Sequence, residues 1–164
     1  MKRAYLSLGS NLGEREESLR QALRRLECEK LRVARVSSLY ETEPMYVADQ
    51  PWFLNLVAEV DTDFFPMQLL TRIGRIEQEM GRRRVRKNGP RTIDIDIVLY
   101  GAFVVSTTKL AIPHPKMAER RFVLEPMTEL APDLRHPVLK KSMRELLAAV
   151  KGQQVRRLPG ASRQ

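Results

Sequence analysis

Cysteine is nearly missing from this 164-residue chain. The one copy, Cys28, cannot close an internal disulfide, so no disulfide framework holds the fold. That usage fits a reducing compartment, and a cytoplasmic location is expected. Cys28 falls on a helix proposed below and reads as a bystander. No apolar run approaches the ~20 residues needed to span a bilayer, so no membrane partner is expected. The start, Met1-Lys2-Arg3-Ala4-Tyr5-Leu6, is basic and then apolar, but Gly9-Ser10-Asn11 cuts it short. A signal peptide needs an apolar core of roughly 7–15 residues, so secretion is not expected. Internal repeats and low-complexity segments are absent. Acidic residues are outnumbered, 20 against 29 Lys and Arg, for a net charge of +9. This excess fits nucleic-acid binding, attraction of a polyanionic small substrate such as a nucleotide, or an arginine-rich proteome. Much of it sits between Arg82 and Arg91 and after Lys151.

What is present is enough for one core. Hydrophobic residues make up 43% of the chain, and one domain over residues 1–150 is expected. Ala4 to Leu8 reads as a first strand. A helix follows from about Glu14 to Cys28, with Leu19, Ala22, Leu23 and Leu26 at helical spacing and acidic residues in its first turn. Residues 32–40 and 53–60 read as strands flanking a loop. A second helix starts near Pro66, a residue suited to the first helical position, and Gly81 ends it. Then come a basic loop over 82–90, a strand over 93–99, and a turn into a short strand at Val104-Val105. A proline-stiffened loop at 112–115, a short helical piece over 117–120 and a last helix over 142–150 follow. The segment 151–164 is polar, and a loosely ordered tail is expected. The order β-α-β-β-α-β predicts an α+β fold. It is the ferredoxin-like split βαβ, an antiparallel sheet with helices packed on one face and a C-terminal helical extension.

The strand Arg91-Thr92-Ile93-Asp94-Ile95-Asp96-Ile97-Val98-Leu99 carries the strongest chemical signal. Strand side chains alternate faces, so Asp94 and Asp96 share one face and Ile93, Ile95 and Ile97 the other. Aspartate is a poor strand former, and two like charges so placed repel. A cation between them resolves the conflict. Two hard carboxylates on a rigid strand suit Mg²⁺, which binds through one or two carboxylates plus substrate phosphates. Two such ions ~3.5–4 Å apart clamp the oxygens of an in-line displacement. Arg91 and the run Arg82, Arg83, Arg84, Arg86, Lys87 lie just upstream. That run is either solvated surface or a loop that closes over a triphosphate and excludes water.

Other groups are weaker alone. His114, between Pro113 and Pro115, is held stiffly, as a phosphate-binding group requires; His136 has no nearby chemistry. Gly9-Ser10-Asn11-Leu12-Gly13 joins a strand to a helix. It lacks the lysine and spacing of a P-loop and reads first as a tight turn. Phe53 and Asn55 share a strand face, where an aromatic plane and an amide can stack on and read a flat heterocycle. Glu77 lies at the border of the buried face of the second helix.

In order, these residues resemble one family, the 6-hydroxymethyl-7,8-dihydropterin pyrophosphokinases of folate biosynthesis. The motifs that carry the resemblance are Gly9-Ser10-Asn11-Leu12-Gly13, Ser37-Ser38-Leu39-Tyr40-Glu41-Thr42-Glu43-Pro44 and Gln50-Pro51-Trp52-Phe53-Leu54-Asn55. They continue with Gly89-Pro90-Arg91-Thr92-Ile93-Asp94-Ile95-Asp96-Ile97, Ile112-Pro113-His114-Pro115 and Arg120-Arg121-Phe122-Val123-Leu124-Glu125-Pro126-Met127. The resemblance implies transfer of pyrophosphate from ATP to the pterin hydroxymethyl group, with release of AMP. It implies two Mg²⁺ ions held by Asp94 and Asp96. It assigns the triphosphate to Arg82, Arg84, Arg91, Arg120 and His114, and further ATP contacts to Glu77, Ile97 and Lys109. The pterin is placed between Phe53 and Phe122, with Thr42, Pro44, Met45 and Asn55 reading its edge. Some members carry a tryptophan near position 88, where this chain has Asn88. ATP and the pterin are the expected partners, and a monomer is expected. Two rivals have other chemistry. A basic ferredoxin-like sheet is similar to RNA-recognition folds, but the RNP-type aromatic run is missing, so no nucleic acid is expected. A phosphohydrolase would use the same metals with water as acceptor.

Overall fold

The computed structural model describes residues 1–44, 49–81 and 92–159. The elements in chain order are β1 (Lys2–Ser10), α1 (Arg15–Leu26), β2 (Leu31–Val36), β3 (Tyr40–Thr42), β4 (Phe53–Thr62), α2 (Pro66–Glu79) and β5 (Asp94–Tyr100). A small hairpin of β6 (Val105–Ser106) and β7 (Ala111–Ile112) follows. A 3₁₀ turn (Met117–Glu119), α3 (Arg121–Leu130), α4 (Met143–Ala149) and β8 (Val155–Arg157) complete it. The main sheet is antiparallel and runs β5-β1-β4-β3-β8, with β2 also on β4. β1 is an inner strand between β5 and β4 and is buried from Ala4 to Ser10.

Alternation along β1 and β4 sorts side chains onto two faces. Leu6, Leu8, Leu56 and Ala58 join Ile95 and Ile97 of β5 beneath α1 and α2, which add Leu19, Leu26, Leu69 and Ile73. The opposite face carries Tyr5 and Val57, covered by Val123, Leu124 and Met127 of α3 and Met143 and Leu146 of α4. Helices therefore lie on both faces, not one. The alternation in β5 breaks once. Tyr5 faces Leu99 and Leu6 faces Ile97, so Val98 is an extra residue. Val98 and Leu99 both turn toward α3, and Tyr100 returns to the α1/α2 core.

Local chemistry explains the helix ends. Pro66 opens α2, and the Phe65 N–H donates to the Gln68 side chain at 2.8 Å. Gly81, with φ +75°, sits just past its end, where a left-handed residue closes a helix. Ser142 and Glu145 cap each other's backbone N–H groups and start α4.

Three expectations are corrected. The strand over 32–40 is two, β2 and β3. Ser37 and Ser38 interrupt it because side chains take their backbone partners. Val57 N–H donates to Ser37 Oγ at 3.0 Å, and Ser38 N–H to the Glu129 carboxylate at 3.1 Å. The short helical piece expected near 117–120 is present as the 3₁₀ turn, and a helix the sequence did not announce, α3, follows it directly with the buried Pro126 inside. Finally, part of the segment expected to be a loose tail is in the sheet. β8 pairs with β3, Tyr40 opposite Arg157 and Thr42 opposite Val155.

Candidate functional site

Asp94 and Asp96 emerge on the α3 side of β5, as the alternation requires, while Ile93, Ile95 and Ile97 are buried. Asp96 is 38% exposed, with its carboxylate 4.0 Å from both His114 Nε2 and Arg120 Nη1. Those separations exceed a hydrogen bond and leave the three groups converging on one spot. Two elements bring them there. The carbonyl of the extra β5 residue, Val98, accepts the His114 N–H at 3.0 Å and so docks the proline-stiffened loop on the strand edge. Arg120 is the N-cap residue of α3, and its guanidinium lies over the Phe122 ring, 5.4 Å from the centroid.

His114 has a defined tautomer. Its Nδ1 accepts the Lys116 N–H at 3.1 Å. Burial, then the Arg120 charge, push its pKa down to about 4, despite the opposing pull of Asp94. The neutral ring therefore carries its proton on Nε2, the atom aimed at Asp96, and offers a donor to an anion.

The neighbouring strands bear a second cluster on the same face. Asn55 is 3% exposed, and its Oδ1 accepts the Thr42 hydroxyl at 2.6 Å. Phe53 is half-buried beside it. Gly9 of β1 stands between the clusters, opposite Asp94 on one side and Asn55 on the other. A Cβ there would lie 2.6 Å from Asn55 Nδ2 and 3.4 Å from the Phe53 ring. Glycine at this point keeps the floor clear, a role its placement in a turn motif concealed, since β1 runs on through Ser10. Pro44 and Phe122 are half-buried. An amide fixed by a threonine, beside the Phe53 ring, can read and stack on a flat heterocycle.

The other expected residues sort as follows. Glu77 of α2 accepts the Ile95 N–H at 2.8 Å, reaching the outer edge of β5. The Ile97 side chain is in the core, so only its backbone can meet a ligand. Lys109 is exposed between β6 and β7, and β7 packs on β5. Met45, Arg82, Arg84 and Arg91 lie outside the described residues. In the Gly-Ser-Asn loop, Asn11 is buried and donates to the Gln50 side chain at 2.9 Å and the Pro51 carbonyl at 3.0 Å. That fixes the chain entering β4; the turn itself begins after Ser10, since Gly9 and Ser10 belong to β1 and not to a turn.

Glu129 went unremarked in the sequence. Besides Ser38 N–H it accepts the Ser38 hydroxyl at 3.0 Å and the Tyr40 hydroxyl at 2.8 Å. The Ser-Ser-Leu-Tyr run is the only sequence signal for it, and that run does not name its partner. Among the described residues no three His, Cys, Asp or Glu side chains gather as a metal cage. Two hard carboxylates, with the remaining positions left to phosphate and water oxygens, match the way Mg²⁺ is bound.

A family model described as 7,8-dihydro-6-hydroxymethylpterin-pyrophosphokinase matches residues 5–132. The chain is 44% identical over 162 residues to a Pseudomonas aeruginosa 2-amino-4-hydroxy-6-hydroxymethyldihydropteridine pyrophosphokinase, covering 98% of this chain and 99% of that protein. It is 48% identical over 156 residues to the Schizosaccharomyces pombe folic acid synthesis protein fol1. That match covers 94% of this chain but only 21% of the longer protein. A crystal structure of Plasmodium falciparum HPPK-DHPS with pteroate superposes with a TM-score of 0.73 at 18% identity, over 90% of this chain and 42% of that one. At that identity the superposition speaks to fold alone.

Proposed function

Because this chain belongs to the 7,8-dihydro-6-hydroxymethylpterin-pyrophosphokinase family, we propose that it transfers pyrophosphate from ATP to the hydroxymethyl group of 6-hydroxymethyl-7,8-dihydropterin. The products are the pterin diphosphate and AMP, a step of folate biosynthesis. One observation carries the reading: the Asp94/Asp96/His114/Arg120 group and the Thr42/Phe53/Asn55 group share one sheet face, with Gly9 between them.

In this reading Asp94 and Asp96 hold two Mg²⁺ ions. When bound, these neutralise and polarise the triphosphate oxygens. His114 donates Nε2–H to a phosphate oxygen, and Arg120 adds a fixed charge. Arg82, Arg84 and Arg91 supply further positive charge to the triphosphate. Glu77, the Ile97 backbone and Lys109 bound the nucleotide along the outer edge of β5. The pterin stacks between Phe53 and Phe122, and Asn55, Thr42, Pro44 and the Met45 backbone read its edge. The attacking oxygen belongs to the substrate alcohol, so the protein need supply no nucleophile of its own. Rate enhancement then rests on holding the alcohol and the β-phosphorus in line, and on charge stabilisation. We assign the frame to the ferredoxin-like class, since β5-β1-β4 with β2 beside β4 is the order of a split βαβ sheet. We infer that the activity belongs to a single domain whose sheet includes β8, acting as a cytoplasmic monomer. No helix among the described residues is long and apolar enough to cross a membrane.

The test is AMP formation from ATP and Mg²⁺, with and without the hydroxymethyl dihydropterin. AMP should appear in step with a pyrophosphorylated pterin. ADP or free phosphate in its place refutes the reading and favours a kinase of another kind or a phosphohydrolase. Asp94→Asn and Asp96→Asn should each lower turnover ~100-fold or more with the melting temperature held.

A further inference from the structure

The family match ends at residue 132, and the basic segment after Lys151 has no place in the chemistry above. Its contacts nonetheless fall on both walls of the pocket assigned to the pterin. β8 pairs with β3, Thr42 opposite Val155. Past the end of β3 the Glu43 N–H donates to the Gln154 carbonyl at 3.2 Å, and the Gln154 N–H returns a bond to the Glu43 carboxylate at 2.7 Å. Gln153 then spans the gap. Its side-chain amide donates to the Glu43 carbonyl at 3.0 Å, between Thr42 and Pro44, and its own carbonyl accepts Arg121 Nη1 at 3.1 Å. Arg121 opens α3 and precedes Phe122. The two arginines of β8 tie it to the same elements: Arg157 lies 3.5 Å from Glu129 of α3, and Arg156 pairs with Glu41 on the other face of β3, where Arg15 of α1 also reaches that carboxylate.

We propose that Gln153–Arg157 is a positioning strap for the pterin pocket, with Gln153 setting the spacing between the Thr42–Pro44 edge and the Phe122 ring. This rests on the reading of that face as a pterin site. None of the contacts just named involves Asp94, Asp96 or His114, and Arg120 meets the strap only through the Phe122 ring it covers, so loosening the strap acts first on the pterin and far less on ATP. Misplacing a stacked heterocycle against its reading edge weakens ground-state binding, which a KM comparison resolves.

Steady-state AMP formation by the full chain is measured with Gln153→Ala, Arg121→Ala and Arg121→Lys. The first two should each raise the pterin KM about fivefold, the worth of one lost hydrogen bond, with the ATP KM within about twofold of wild type. Lysine can still donate to the Gln153 carbonyl, so Arg121→Lys should recover most of the loss. Because both alanine variants break one chain of contacts, the double variant should cost less than the product of the singles. A pterin KM unchanged in both alanine variants overturns the strap while leaving the activity standing. So does a parallel rise in the KM of both substrates, which is the mark of general loosening. A wild-type chain that makes no AMP overturns the site reading and the strap with it.

Discussion

Gly9 decides more than its size suggests. It stands in an inner strand, where glycine costs stability and usually marks a close approach. The approach here is the Asn55 amide, held in place because Thr42 grips its oxygen at 2.6 Å. A methyl group at residue 9 would sit 2.6 Å from Asn55 Nδ2, so the amide must move and the Thr42 bond must stretch or break. Gly9→Ala should therefore lower stability by ~1–3 kcal/mol, the usual cost of overpacking, and raise the pterin KM. Gly74 is the control. It lies exposed in the middle of α2, and a methyl group there would meet nothing within 4 Å. Gly74→Ala should thus stabilise by ~0.5–1 kcal/mol through helix propensity. Urea midpoints of the two variants against wild type check both signs. Equal shifts would mean that the crowding at residue 9 relaxes freely. The same economy governs His114, where one hydrogen bond to Lys116 N–H selects the tautomer that presents a donor toward Asp96.

At the scale of elements, the break between β2 and β3 shows how α3 is tied to the sheet. From Val36 to Tyr40 the chain advances four residues while its partner strand advances three, from Ala58 to Asn55. The extra residue lies where Ser37 and Ser38 turn their backbones to Val57 and Glu129. Glu129 thus anchors the start of β3, and with it Thr42. Glu129→Ala leaves the Ser38 N–H and two hydroxyls without their acceptor and should cost ~2–4 kcal/mol of stability. Glu129→Gln, which keeps an acceptor oxygen, should cost less. Denaturant titration of both ranks them, and equal losses would show that the charge near Arg157, not the hydrogen bonds, carries the effect. Periodicity makes α1, α2, β1, β4 and the Asp94/Asp96 strand legible, because one buried face leaves a repeating apolar mark. It cannot expose the β2–β3 break, which depends on a carboxylate 91 residues further on. Nor does it reveal β8, a short, polar edge strand held by backbone pairing and ion pairs, which leave no apolar period. In the site, Asp94, Asp96 and Phe53/Asn55 declare themselves by two-residue spacing. The approach of His114 to Asp96 depends on the Val98 bulge, whose carbonyl docks the His114 loop, and for that nothing in the local pattern prepares.

Across the molecule, the excess of arginine is organised around a few buried or half-buried carboxylates. Glu59, 2% exposed, accepts the Tyr5 hydroxyl at 2.7 Å and Arg35 at 2.9 Å, with Arg3 at 3.4 Å. Arg35 goes on to the Leu130 carbonyl at 2.7 Å, so this cluster joins β1, β2 and β4 to the end of α3. Burial pushes the Glu59 carboxyl upward, but the bonds from Arg35 and Tyr5 and the Arg3 charge outweigh it, and its pKa is lowered from 4.5. Hydrogen bonds from Arg3 to Asp61 and from Arg156 to Glu41 lower those carboxyls too, from 3.8 and 4.5. A carboxylate whose pKa is depressed on folding adds stability that is fully present above its unfolded value and is lost as pH falls through its folded one. The melting temperature should therefore hold from neutral pH down to about 5 and fall below about 4.5 as these groups protonate. Growing positive charge on a chain already at +9 adds repulsion in the same direction. Glu59→Gln should lower the melting temperature at pH 7, where it weakens the cluster, and narrow the gap to wild type at pH 3.5. A gap as wide at pH 3.5 as at pH 7 would mean that the ionised carboxylate is not what the cluster needs, and that Glu59 serves by shape and hydrogen bonding alone.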